Sequence, residues 1–164
     1  MGKKKVPILL LKKALQNTDF LNVKTLLHSG NVIFERDQQT KEVSAIVEKV
    51  LATNFPFLID TIIRPFNEIT ALIQSNPFKE IVVTPQLRLS ITFLAEKPSK
   101  ELKEKKNFPK GDFEILTVTD HEVASAFTLS KSMGTTKLME ILEKYYGKRV
   151  TTRNWNTVVK IGSL

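Results

Sequence analysis

The chain has 164 residues, 41% of them hydrophobic and 26% charged, with a net charge of +8 at neutral pH. That length suits one compact domain or two small ones sharing a core. Cysteine is absent, and His28 and His121 are the only histidines, which excludes disulfides, thiol nucleophiles and thiolate metal sites and argues against a zinc or Ser-His-Asp centre.

No run of about 18 apolar residues is present, so no membrane is expected as a partner. The apolar run Ile8–Leu11 follows a basic start and is broken at once by Lys12 and Lys13. It is too short for a signal peptide's apolar core, and the expected location is cytoplasmic. A sequence pI of about 9.7 permits binding to nucleic acid or another polyanion through counterion release. The same lysines also serve solubility.

Pro7 opens a helix in which Ile8, Leu11 and Leu15 share a face, and Asn17–Asp19 ends it. Val23–Leu27 and Val32–Glu35 read as a hairpin around His28–Asn31, where Gly30 and Asn31 tolerate positive φ. A second helix runs over Thr40–Thr53, with Val43, Ile46, Val47, Val50 and Leu51 as its stripe. Leu58–Arg64 reads as a strand stopped by Pro65. A short helix follows, capped by Asn67, with Ile69, Leu72 and Ile73 inward and Pro77 past its end.

The second half adds a strand in front of the same order. Arg88–Ala95 is a strand with Leu89, Ile91, Phe93 and Ala95 on one face and Arg88, Ser90 and Thr92 on the other. A Lys-rich helix extends to about Asn107, and the strands Asp112–Val118 and Glu122–Leu129 follow it. Thr135–Tyr146 is a helix ended by Gly147, and Arg149–Thr152 is a last short strand. From Asn154 on, Trp155, Val158 and Val159 have helical spacing.

These orders predict an α+β fold of two ferredoxin-like (βαββαβ) units in tandem, the first lacking its opening strand. The first unit, with a connecting helix, would cover residues 1–76, and the second, with the Thr151–Thr157 helix start, residues 77–164. The missing strand would lie between Val32–Glu35 and Leu58–Arg64. Three arrangements could answer the gap: direct pairing of the two neighbours, another segment of the chain, or a partner chain. Self-association through exposed strand edges is expected on the same ground.

Ser29–Phe34, Asn76-Pro77-Phe78 and, most specifically, Thr152-Arg153-Asn154-Trp155-Asn156-Thr157 resemble a mainly bacterial family of unknown function, domain of unknown function 1697. The resemblance spans essentially the whole chain. It implies a duplication of ferredoxin-like units and no established activity. Such proteins open with a strand and a Gly-rich loop, of which Gly2–Pro7 matches only the tail. The chain is therefore expected to be a shortened form.

The candidate site is Arg153, Asn154, Trp155, Asn156 and Thr157. A helix starting near Asn154 presents unpaired N–H groups, Arg153 beside them would complete an anion pocket, and Trp155 could stack on a base. The structural alternative makes Asn154 only a cap, Trp155 a core anchor and Arg153 the partner of a carboxylate. Lys3, Lys4 and Lys5 precede a helix start and could join a phosphate cradle, although the P-loop spacing is absent. Lys97–Lys110 suits a solvated helix face, or else a track for a phosphate backbone. Neither Arg88–Ala95 nor Glu122–Leu129 carries the aromatic pattern of an RNA-recognition sheet, and Phe93 and Phe127 fall on core faces.

The expectation is a non-enzymatic module binding nucleic acid or another polyanion, with no cofactor and no metal. The alternatives are a binder of, or enzyme acting on, a phosphorylated or carboxylated metabolite, and an interaction protein without a ligand.

Overall fold

A computed structural model of the chain describes residues 6–26, 30–104 and 113–164. The fold is α+β, with six helices, a two-stranded sheet and a four-stranded antiparallel sheet among the described residues. The chain divides into two compact units, Met1–Ile63 and Arg64–Leu164.

In the first unit Pro7, with φ of −64°, caps helix α1 (Ile8–Gln16), as a ring-locked φ permits. The Thr18 hydroxyl donates to the Leu15 carbonyl at 2.6 Å just past the helix end. Strand β1 (Leu21–Leu26) pairs antiparallel with β2 (Asn31–Glu35), with Leu26 opposite Asn31. Gly30 takes the left-handed φ of +74°, as its residue type allows, whereas the second positive φ falls on Asn22, at +51°. Asn22 sits where the register shifts between Leu21 and Lys24, and its Nδ2 donates to Glu35 Oε2 at 3.0 Å. Part of the predicted turn, including His28, lies outside the described residues. Helix α2 (Thr40–Asn54) faces Val43, Val47 and Leu51 toward Leu11, Ala14 and Leu15 of α1, and Phe20, Val23 and Phe55 close that core.

Leu58–Arg64 is not a strand. Among the described residues it joins no ladder, and β1 and β2 pair only with each other. It nonetheless keeps the alternation of one, with Phe57, Ile59 and Ile63 against the core and Leu58 and Asp60 exposed. Alternation sets which side chains turn inward, but a ladder also needs a neighbour at hydrogen-bonding distance. Among the described residues β2 and this segment neither pair directly nor have another strand between them.

The second unit opens with α3 (Phe66–Ser75), which is capped by Pro65 rather than by Asn67. Asn76 ends it in the left-handed region at φ +39°, and its Oδ1 accepts the Phe78 N–H at 3.2 Å. Then follow β3 (Leu87–Leu94), α4 (Lys100–Glu104), β4 (Phe113–Val118), β5 (Glu122–Thr128), α5 (Thr135–Tyr146), β6 (Val150–Asn154) and α6 (Trp155–Gly162). The sheet order is β4-β5-β3-β6, all antiparallel. Leu94, Val123, Phe127 and Val150 of the sheet form a core with Met133 and with Leu138 and Leu142 of α5. Helix α3 lies against α6. The two compact units meet in sequence between Ile63 and Arg64.

Strand β3 is buried on both faces. Ile91 and Phe93 are inside as expected, but Ser90, Thr92 and Leu94 on the opposite face are buried too. The hydroxyl face of β3 is therefore not a solvent face. Beyond its end, the Arg64 guanidinium donates to the carbonyl of Leu94 and, at 3.3 Å, to that of His121. The main chain of His121 is held there as well, its N–H donating to Thr119 Oγ1 at 3.1 Å. Lys103, and Lys97 at 3.1 Å, bind Asp120 and hold its carboxyl down at about 2. Of the Lys-rich run, Lys105, Lys106 and Lys110 lie outside the described residues. Among the described residues no helix is long and apolar enough to cross a membrane.

Candidate functional site

The Thr151–Thr157 stretch is a strand-to-helix corner. Strand β6 stands at one end of the sheet, and its pairing with β3 runs on through Arg153 opposite Ile91 and Asn154 opposite Ser90. The strand is thus two residues longer at its end than its sequence predicts. Across this pairing the Thr92 and Thr152 hydroxyls meet at 2.8 Å, both side chains buried. That hydrogen bond ties the corner to the central strand.

Asn154 is the N-cap of α6, its Oδ1 accepting the Asn156 N–H at 2.9 Å. One first-turn donor is thereby satisfied from within the chain. Arg153 comes just before and, as a strand neighbour, points to the opposite side of the sheet from Asn154. Its Nη1 donates to Thr151 Oγ1 at 2.6 Å and to the Thr152 carbonyl at 2.9 Å. The guanidinium is thus drawn back along β6, away from the start of α6. Burial pulls its pKa below the usual arginine range.

Trp155 is half-buried and sets its ring edge-on to Phe78, with centroids 5.1 Å apart and planes at 64°. Phe78 is buried directly after the Asn76 turn, so two of the sequence's distinctive runs meet here. Asn154 and Asn156 are exposed, and Thr157 is half-buried. The structure therefore brings Asn154, Trp155 and Asn156 together at the helix start and turns Arg153 toward Thr151. Lys3, Lys4 and Lys5 lie outside the described residues.

The motif alone understates the charge around it. After Glu143 the chain has no acidic residue, while Lys144, Lys148, Arg149, Arg153 and Lys160 are all cationic. Lys144, Lys148, Arg149 and Lys160 are exposed. Lys148 and Arg149 enter β6 directly, and the signal that finds them is the acid-free tail rather than any motif. Phe93 and Phe127 are buried, so neither offers a ring to a base on an open sheet. Among the described residues no group of His, Cys, Asp and Glu gathers as metal ligands would.

A family model described as protein of unknown function (DUF1697) matches residues 1–123. The chain belongs to that family. The DUF1697 match ends ahead of Thr151–Thr157, so membership rests on the preceding residues rather than on this corner. The solved structure of conserved bacterial protein SP0830 from Streptococcus pneumoniae is similar at 20% identity, over 99% of this chain and 90% of that one, with a TM-score of 0.74. At that identity the likeness concerns the fold. No curated protein matches the chain.

Proposed function

We propose that this DUF1697 protein is a non-enzymatic cytoplasmic module that binds nucleic acid or another polyanion through its β6–α6 corner. One observation carries the reading: from Lys144 to the end there are five cations and no Asp or Glu. Four of the five are exposed, Lys144 at the end of α5, Lys148 and Arg149 just before β6, and Lys160 on α6. A locally cationic stretch of chain attracts phosphates and releases their counterions. The exposed carboxamides of Asn154 and Asn156 add donors and acceptors beside it. The half-buried Trp155 offers part of a ring for stacking.

The scaffold is read as two ferredoxin-like units in tandem, the first short of its opening strand. In support, the second unit has the order β-α-β-β-α-β with sheet order β4-β5-β3-β6, and the first has α-β-β-α.

The test is anisotropy titration of labelled single-stranded and duplex oligonucleotides at several salt concentrations. Affinity should fall steeply with salt, with little sequence preference. Replacing Lys148 or Lys160 by alanine should weaken binding to every sequence alike and lower the salt slope by about one for each phosphate-binding cation removed. Lack of binding at about 50 mM salt, or a slope untouched by these substitutions, defeats the reading.

A further inference from the structure

We propose that Asp120 is a built-in competitor for the polyanion: its carboxylate occupies Lys97 and Lys103, two cations that otherwise extend the phosphate-binding surface beginning at Lys148. This regulation rests on the polyanion reading of the same surface.

The place is the end of the sheet at which β3 stops and β5 and β6 begin. There the Leu94 N–H donates to the His121 carbonyl at 2.8 Å, and the Ala95 N–H donates to the Arg149 carbonyl at 3.0 Å. Lys97 lies two residues beyond Ala95, Asp120 directly precedes His121, and Lys148 directly precedes Arg149. Three strands thus bring these residues to one end of the sheet. Strands two apart in a sheet are about 10 Å apart, within the Debye length of about 10 Å at 0.1 M salt. Lys148 and the lysines at Asp120 therefore act on the same stretch of a polyanion.

Asp120 is held for this role by the turn between β4 and β5. The Thr119 N–H donates to the Glu122 carbonyl at 2.9 Å, and Thr119 Oγ1 accepts the N–H groups of His121 and Glu122, each at 3.1 Å. The Glu122 carboxylate accepts the Thr119 hydroxyl at 2.6 Å, whereas that of Asp120 takes two lysines, Lys97 at 3.1 Å and Lys103.

A carboxylate in the same chain meets its lysines at a high effective concentration. The pairs are nonetheless displaceable, because the Lys97 side chain is 70% exposed and exposed ion pairs hold weakly. Lys97 and Lys103 belong to the Lys-rich run after β3. That part of the run is therefore neutralised from across the turn, and a phosphate chain gains it only by displacing Asp120.

The test is anisotropy titration of the full chain with a labelled oligothymidylate. Asp120→Asn and Asp120→Ser, both residue types that suit a turn, should each raise affinity about tenfold at about 50 mM salt and steepen the salt dependence by about one to two phosphate contacts. Asp120→Glu, which keeps the charge, should bind as the wild type does. Asp37→Asn, which removes an exposed carboxylate from the first unit, should raise affinity by about twofold at most. Lys97→Ala should take back about one contact in the Asp120→Asn background and change the wild type little. An equal gain from Asp37→Asn would mean a net-charge effect and overturns the proposal. So does unchanged binding by both neutral Asp120 variants, which leaves the polyanion reading standing. Absence of binding by the wild type at about 50 mM salt defeats that reading and this regulation with it.

Discussion

At the residue scale Tyr146 is the sharpest case. Its hydroxyl is shut from solvent and meets no hydrogen-bond partner among the described residues, while its ring lies against the α5 core. Burial, with a smaller contribution from Tyr145, pushes its phenol up to about 12. An unfolded tyrosine titrates near 10. Between about 10 and 12 the folded chain therefore keeps a proton that the unfolded chain has lost, and stability falls as pH rises through this window. Tyr146→Phe removes both the orphan hydroxyl and its titration. It should raise stability at neutral pH by about 1 kcal/mol and flatten the decline above pH ~10. Thermal melts at neutral and strongly alkaline pH measure both effects. A lower melting temperature at neutral pH would show that the hydroxyl has a partner worth keeping.

At the element scale the β6–α6 corner sets how deep Trp155 goes. Trp155, Val158 and Val159 predict one apolar stripe with a largely buried indole, but Val159 is 39% exposed while Val158 is 0% exposed. Helix α6 starts without a loop at the last residue of β6, so the strand fixes its rotation and turns Val158 to the centre. The indole is left at the margin against Phe78. Farther along, a Cβ added to Gly162 would come within 2.2 Å of Ile73 Cδ1, a measure of how closely α6 approaches α3. Trp155→Ala should cost about 2–3 kcal/mol, below the ~3–5 of a fully buried large aromatic. Chemical denaturation gives the value. As the chain's only tryptophan, Trp155 should also show acrylamide quenching between that of free indole and that of a core residue. A cost under about 1 kcal/mol would mean that packing against Phe78 contributes almost nothing.

At the scale of the whole molecule the two units differ in how completely their strands are paired. Strands β3 and β5 each have neighbours on both sides, whereas among the described residues β1 and β2 pair only with each other. Two strands alone are marginal and depend on the helices packed over them. Amides of Val32–Phe34 should therefore exchange at least about tenfold faster than those of Ile91, Thr92 and Ala124 in the unliganded chain. Hydrogen exchange resolved by residue checks this. Equal protection would mean that the chain opens as one cooperative body.

The sequence by itself determined the order of the elements and most of their ends. Helix α5 runs over Thr135–Tyr146 as its stripe and the stop at Gly147 predict, and Asn154 caps α6 as its residue type suggests. Caps, prolines and apolar periods act over a few residues, so they can be read locally. Tertiary structure alone decided which extended segments became strands. Leu58–Arg64 has the composition of a strand but joins no ladder among the described residues, while β6 gained Arg153 and Asn154 because β3 was there to pair with them. It also buried Ser90 and Thr92, and drew the Arg153 guanidinium back to Thr151 rather than over the helix start. Alternation says which side chains share a face. Whether a second layer covers that face, and whether a strand lies alongside, depends on residues distant in sequence, whose positions no local pattern encodes.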